Sequence, residues 1–243
     1  MGIRKVINYT IIEYKKNLWL ILIFSVMFVI SMFALFFAPM PTYTSLGAVF
    51  LRLGSIPILE IVDIVVIIVV YLASLFIFSD AITNINLIIK AKRTLTKISS
   101  EVFGGTFKYA LKIFLVYTIA MLVVFGINIA TFESQAHNLI YPLVSFFVFM
   151  AIFFVPPAIV IDDIDSFRAI ESSIKALKTK WSLVVMWVII GLIAITIIEF
   201  FSFLILPANI AKYIVIALNC LVLIPLLTIF QTQVYMEKYP LSP

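Results

Sequence analysis

Six separate stretches of this chain, at 18–37, 56–79, 113–130, 142–160, 183–203 and 213–230, run apolar with few interruptions. Each is close to the ~20 residues that cross a bilayer core of about 30 Å at 1.5 Å per residue. In hydrocarbon every backbone N–H and C=O has to be satisfied within the structure, so continuous runs of this kind are expected as helices. A transmembrane β-barrel would show shorter alternating segments instead. Composition agrees: with 64% hydrophobic and 12% charged residues, 243 residues have too few charges to cover a soluble surface. The expected fold is all-α, a polytopic membrane helical bundle forming a single domain over 1–243.

The charges are sorted as well as sparse. An even number of spans puts the N-terminal segment, the 2–3 link, the 4–5 link and the C-terminal tail on one side. That side carries 15 of the 17 Lys and Arg residues, and only Arg52 and Lys212 fall on the other. The positive-inside rule then places both termini in the cytoplasm and the chain in the cell membrane. Basic residues beside span ends attract anionic lipid headgroups, and no nucleic-acid motif accompanies them. The bilayer is the expected partner, and nucleic acid is not.

Three basic amphipathic segments adjoin the spans, at 3–16, 88–103 and 166–180. In the last, Phe167, Ile170, Ile174 and Leu177 share one helical face, with Arg168, Glu171, Lys175 and Lys178 on the other. Helices of this kind are expected to lie along the cytoplasmic surface. Candidate headgroup contacts are Lys15, Lys16, Lys90, Lys92, Arg93, Lys97, Arg168, Lys175, Lys178 and Lys180. A basic segment precedes each of spans 1, 3 and 5, which suggests three helical hairpins, each entered through a surface helix.

Local signals refine the links. Leu46, Val49, Phe50 and Leu53 predict a short surface helix after span 1. Gly104-Gly105 should break the helix after span 2, with Thr106 capping the next. Pro142 suits the first turn of span 4, and Pro225 should kink span 6.

Glu60, Asp63 and Glu199 are acids inside apolar runs, all in the outer half of their spans. Glu60 and Asp63 are spaced i, i+3 on one helix face, so the three could form a proton or cation site. Their place near an interface favours the plainer alternative, acids at headgroup level that pair with Arg52 and Lys212. Asp162, Asp163 and Asp165 lack the glycine and distal glutamate of a calcium loop, which favours a capped, solvated turn over a metal site. His137 has no companion ligand residue, and Cys220 is the single cysteine. The sequence carries no His-Glu-x-x-His, no Gly-x-Ser-x-Gly and no phosphate-binding glycine loop, so neither an enzyme nor a cofactor is expected.

The stretch Phe154-Val-Pro-Pro-Ala-Ile-Val160, followed by Asp163 to Ser166, Arg168 to Lys178 and Trp181, resembles a group of uncharacterised six-span integral membrane proteins. That group is related to the membrane domain of some bacterial glycerophosphodiester phosphodiesterases. The 105–112 entry to span 3 and the 232–235 exit from span 6 are also similar to it. In the fused proteins the hydrolase is a separate soluble domain, so the resemblance implies a membrane module and carries over no catalytic residue. The expected function is a non-enzymatic membrane module or complex subunit. The alternative is a small transporter or permease-like component using the outer carboxylates.

Overall fold

A computed structural model describes residues 3–51, 60–94, 98–132 and 134–237. Its helices are α1 (Ile3–Lys16), α2 (Leu18–Ala34), α3 (Ile61–Thr94), α4 (Ile98–Thr131), α5 (His137–Ile152), α6 (Val155–Asp162), α7 (Ser166–Ile205), α8 (Ala208–Leu218) and α9 (Ile224–Met236). Six helical segments are long and apolar enough to cross a membrane: Leu18–Phe37, Ile61–Ala91, Gly105–Thr131, His137–Asp162, Ser166–Ile205 and Ala208–Met236. They present apolar side chains outward on a scale that water would not tolerate, with Ile61 81% and Phe200 63% exposed. The fold is the all-α architecture of a multi-pass membrane protein.

Consecutive spans pack on one another, most extensively α3 on α4, and span 6 returns to α2. Spans 1 and 2 are tied by a reciprocal exchange. The Ser31 hydroxyl donates to the Ser74 carbonyl at 2.9 Å, and the Ser74 hydroxyl to the Ser31 carbonyl at 2.8 Å. Lipid supplies little drive for helices to associate, so small residues that allow close approach and bond across the gap do that work. Ser31→Ala and Ser74→Ala, read by detergent unfolding, should each lower stability by about 1 kcal/mol, because each removes one hydroxyl-to-carbonyl bond between the spans. No loss in either variant would mean that the two hydroxyls do not join the spans.

Packing is uneven along the bundle. Short α6 is buried from Val155 to Val160 and touches α3, α4, α7 and α9 at the charge-rich end. At the other end, span 2 exposes Ile61, Val62, Val65, Val66, Ile68 and Val69. Helix α1 docks on α9 through Val6 and Thr10, while Tyr9, Ile11 and Ile12 face out.

Several local expectations are corrected. The surface helix after span 1 is instead a β-hairpin, β1 (Thr42–Ser45) antiparallel to β2 (Ala48–Leu51). Leu46 and Gly47 both have positive φ, at 48° and 67°, which is the two-residue turn that matches strand twist. No separate helix covers 88–103: α3 continues to Thr94, α4 starts at Ile98, and residues 95–97 lie outside the described set. Gly104-Gly105 lies within α4. A Cβ at Gly105 would meet the Tyr109 ring at 2.7 Å, so this glycine admits an aromatic one turn on and does not end a helix. Thr106 does not cap; its hydroxyl donates to Asn84 Oδ1 at 3.1 Å. Pro142 sits inside α5, which begins at His137.

Prolines set the two breaks in the later spans. Span 4 is interrupted at Phe153–Phe154, just before Pro156 and Pro157. Span 6 widens into a π-helical turn over Asn219–Leu223, directly before Pro225. Proline lacks an N–H, and its ring crowds the carbonyl four residues back; a wider turn makes the room. Helix α7 is two helices joined at Lys180, whose φ and ψ of −122° and 24° are not helical.

Candidate functional site

The three acids singled out above make no bond to one another among the described residues. Glu60 is exposed before α3, and Asp63 lies in that helix's first turn, where the dipole favours a carboxylate. Helix α3 starts at Ile61, five residues later than the 56–79 run implied, so Asp63 is shallower than its place in that run suggests. Glu199 is half-buried on span 5. No hydrogen bond or ion pair joins the three side chains to one another or to another described residue. Arg52 lies outside the described residues, and Lys212 stacks its ammonium over Tyr213 at 4.8 Å.

Polar side chains do converge at the charge-rich end. Span 2 there buries Ser79, Thr83, Asn84 and Asn86, and span 6 buries Thr228 and Thr232. The Thr232 hydroxyl donates to Asn86 Oδ1 at 2.6 Å, which binds span 6 to span 2. Asn86 in turn donates to the Ile82 carbonyl at 2.8 Å. The break in span 4 is satisfied from its neighbours. Phe154 N–H donates to the Ser173 hydroxyl at 2.9 Å, and Gln231 Nε2 donates to the Phe153 carbonyl. That carbonyl is one of two left without a helical partner, because residues 156 and 157 are both proline.

The Asp162–Asp165 joint closes this layer. The Tyr235 hydroxyl donates to Asp162 Oδ2 at 2.6 Å, so the Ser172 hydroxyl, 2.7 Å from Tyr235, is the donor to it. Asp163 turns the chain with a φ of 49°, a conformation Asp tolerates better than most residues, and accepts from Lys108 Nζ at 3.0 Å. Asp165 pairs with Lys112 at 2.8 Å and makes no side-chain cap bond to α7. The Lys108 hydrogen bond holds the Asp163 carboxyl below its ordinary value against partial burial, and the Lys112 hydrogen bond lowers that of the exposed Asp165. The joint thus ties spans 3, 4, 5 and 6 together as well as turning the chain. Among the described residues no group of His, Cys, Asp and Glu is arranged to hold a metal ion.

The basic residues divide into two sets. Lys90 donates to the Tyr109 hydroxyl at 3.3 Å, and Lys180 donates to the Val234 carbonyl at 2.7 Å and pairs with Glu237 at 3.4 Å. Lys90 and Lys180 therefore make bonds inside the fold. Lys15, Lys16, Arg168 and Lys178 are exposed, and Lys175 is exposed in an i, i+4 pair with Glu171 at 2.6 Å. Lys97 and the side chains of Lys92 and Arg93 lie outside the described set. The apolar face of 166–180 is also rotated from expectation. Ala169 and Ser173 are buried, with Ile170, Ala176 and Leu177 packed beside them, whereas Phe167 is 80% and Ile174 36% exposed. Phe167, Ile174 and Trp181, seven residues apart, form an outward stripe flanked by Arg168, Lys175 and Lys178.

The residues that sequence reasoning passes over are Asn86, Gln231, Thr232, Ser172, Ser173 and Tyr235. A signal exists: Thr228, Gln231, Thr232 and Tyr235 recur at i, i+3, i+4 and i+7, a polar face on a lipid-solvated helix that must turn inward. Comparison with protein-family models, with curated proteins and with solved structures finds no match.

Proposed function

We propose that this protein is a non-enzymatic membrane module, a subunit or scaffold whose charge-rich end faces the cytoplasm of the cell membrane and gathers anionic lipid headgroups. One observation carries the reading. The joint's acids and several of its lysines are committed to ties within the fold, while Lys15, Lys16, Arg168 and Lys178 face outward near the exposed Trp19, Phe167 and Trp181. Aromatic rings at headgroup depth beside basic side chains are what an anionic leaflet engages. No hydrogen bond or ion pair joins Glu60, Asp63 and Glu199 among the described residues, which favours this reading over a transport site built on them. The resemblance at the 4–5 joint to membrane domains that accompany hydrolases points the same way, toward a module acting with other proteins.

The test is lipid selectivity in nanodiscs of mixed phosphatidylglycerol and phosphatidylcholine, read by the headgroup ratio retained on purification. The native chain should enrich the anionic lipid, and a variant carrying Lys15→Gln, Lys16→Gln, Arg168→Gln and Lys178→Gln should lose most of that enrichment, at about 1 kcal/mol per charge. Equal ratios for the two proteins would end the proposal.

A further inference from the structure

We propose that the β1–β2 hairpin re-enters the membrane from the charge-poor end, and that water follows it to the tip beside Asn219. The depth comes from spans 5 and 6, which run antiparallel in fixed register. Lys180 meets Val234, Trp187 Nε1 donates to the Leu227 carbonyl at 2.8 Å, and Ile195 packs with Val215 and Leu223. The hairpin tip sits in that register. Asn219 Nδ2 donates to the Gly47 carbonyl at 2.8 Å, and a Cβ at Gly47 would lie 2.7 Å from Ile195 Cδ1 and 2.8 Å from Asn219 Cβ. Ile195 is ten residues before the end of α7 at Ile205, so the tip lies about 15 Å below the outer end of span 5. A four-residue strand spans nearly the same length, about 13 Å, and so covers the whole descent.

Non-helical backbone at that depth is tolerated only where protein buries it or water reaches it. The pairing is Ser45 with Ala48, Tyr43 with Phe50 and Thr44 with Val49. Around a two-residue turn the first two pairs exchange the ladder bonds, so the N–H and C=O of Thr44 and Val49 point away from the hairpin. They have no partner among the described residues, and neither do the hydroxyls of Thr42, Thr44 and Ser45. Ser45 is exposed. Asn219 is 8% exposed, and its carboxamide oxygen, opposite the nitrogen that holds Gly47, has no partner among the described residues either. The Thr44 strand edge, three hydroxyls and a carboxamide oxygen at this depth cannot all be left to hydrocarbon. Water entering along β1 reaches the Thr44 edge, the hydroxyls on both faces of the strand and the tip, and this inference does not depend on the lipid reading of the opposite end.

Cysteine accessibility tests it in proteoliposomes, on a Cys220→Ala background. Single cysteines are placed at Ser45, at lipid-facing Ile197 at similar depth, and at Lys178, and are probed with a membrane-impermeant methanethiosulfonate. A thiol held in hydrocarbon stays protonated, so Ser45→Cys should react at least about tenfold faster than Ile197→Cys, and from the side opposite to Lys178→Cys. Equal rates at Ser45→Cys and Ile197→Cys, or reaction at Ser45→Cys from the Lys178 side, would overturn the proposal. Should a variant fail to fold, amide exchange on the unaltered chain in nanodiscs decides the same question. Peptides over 42–51 should exchange well ahead of peptides around 195 and 215, and matched protection there would show a dry hairpin.

Discussion

Gly47→Val is expected to force the hairpin tip out of its seat and to lower stability by about 2–5 kcal/mol. Two effects combine. Gly47 holds a φ of 67°, where an L side chain is strained and a β-branched one most of all. Its missing Cβ is also the space occupied by Ile195 Cδ1 and Asn219 Cβ. Spans 5 and 6 would have to separate or the tip withdraw, and either breaks the Asn219 bond to the Gly47 carbonyl. Gly126→Ala is the control. It too is a glycine in the charge-poor half of the bundle, but nothing lies within 4 Å of the position its Cβ would take. In a helix that replacement should be neutral or stabilising by up to about 1 kcal/mol. Unfolding in mixed micelles titrated with sodium dodecyl sulfate measures both. Coincident curves for the two variants would mean that the hairpin is not seated between the spans.

The break in span 4 should be almost as sensitive. Ser173→Ala leaves the Phe154 N–H without an acceptor, and Gln231→Leu leaves the Phe153 carbonyl without a donor, beside the buried α6. Each orphaned group costs about 1–3 kcal/mol, and because the two sites adjoin, the double variant need not lose the sum. Trp187 offers a local readout: its ring lies 5.0 Å from that of Phe153, edge to face. A red shift in its emission, together with the lower unfolding midpoint, is the expected result. Native stability in the double variant would show that water already reaches the break.

The spans are legible in the sequence because hydrocarbon solvation imposes a length and a polarity that no other context demands. The clustering of Lys and Arg is legible for the same reason, and the structure brings the basic ends together through Lys108 with Asp163 and Lys180 with Val234. Other features are not legible, for identifiable causes. The large apolar residues of 166–180 read as the inner face, as they would in a water-soluble protein. In lipid the small residues Ala169 and Ser173 pack against neighbouring helices, and Phe167 and Ile174 face out. The hairpin reads as a helix because Leu46, Val49, Phe50 and Leu53 fit a helical stripe, while the flanking Thr42-Tyr-Thr-Ser45 and Ala48-Val-Phe-Leu51 suit strands equally well. What separates the two is the turn, with positive φ at Gly47 and, unusually for that residue, at Leu46. The polar layer can be anticipated as inward-facing but not in its pairings. Thr232 and Asn86 are 146 residues apart, and local periodicity does not report which distant helix lies opposite.

The unequal packing along the spans has a mechanical consequence. Ties among five helices clamp one end, whereas the charge-poor half of span 2 is largely exposed. Stiffness is therefore polarised across the bilayer, with a clasp on one leaflet and free ribs on the other. A thinner or thicker host membrane would be accommodated by tilting at the rib end, and spontaneous local opening should start there too.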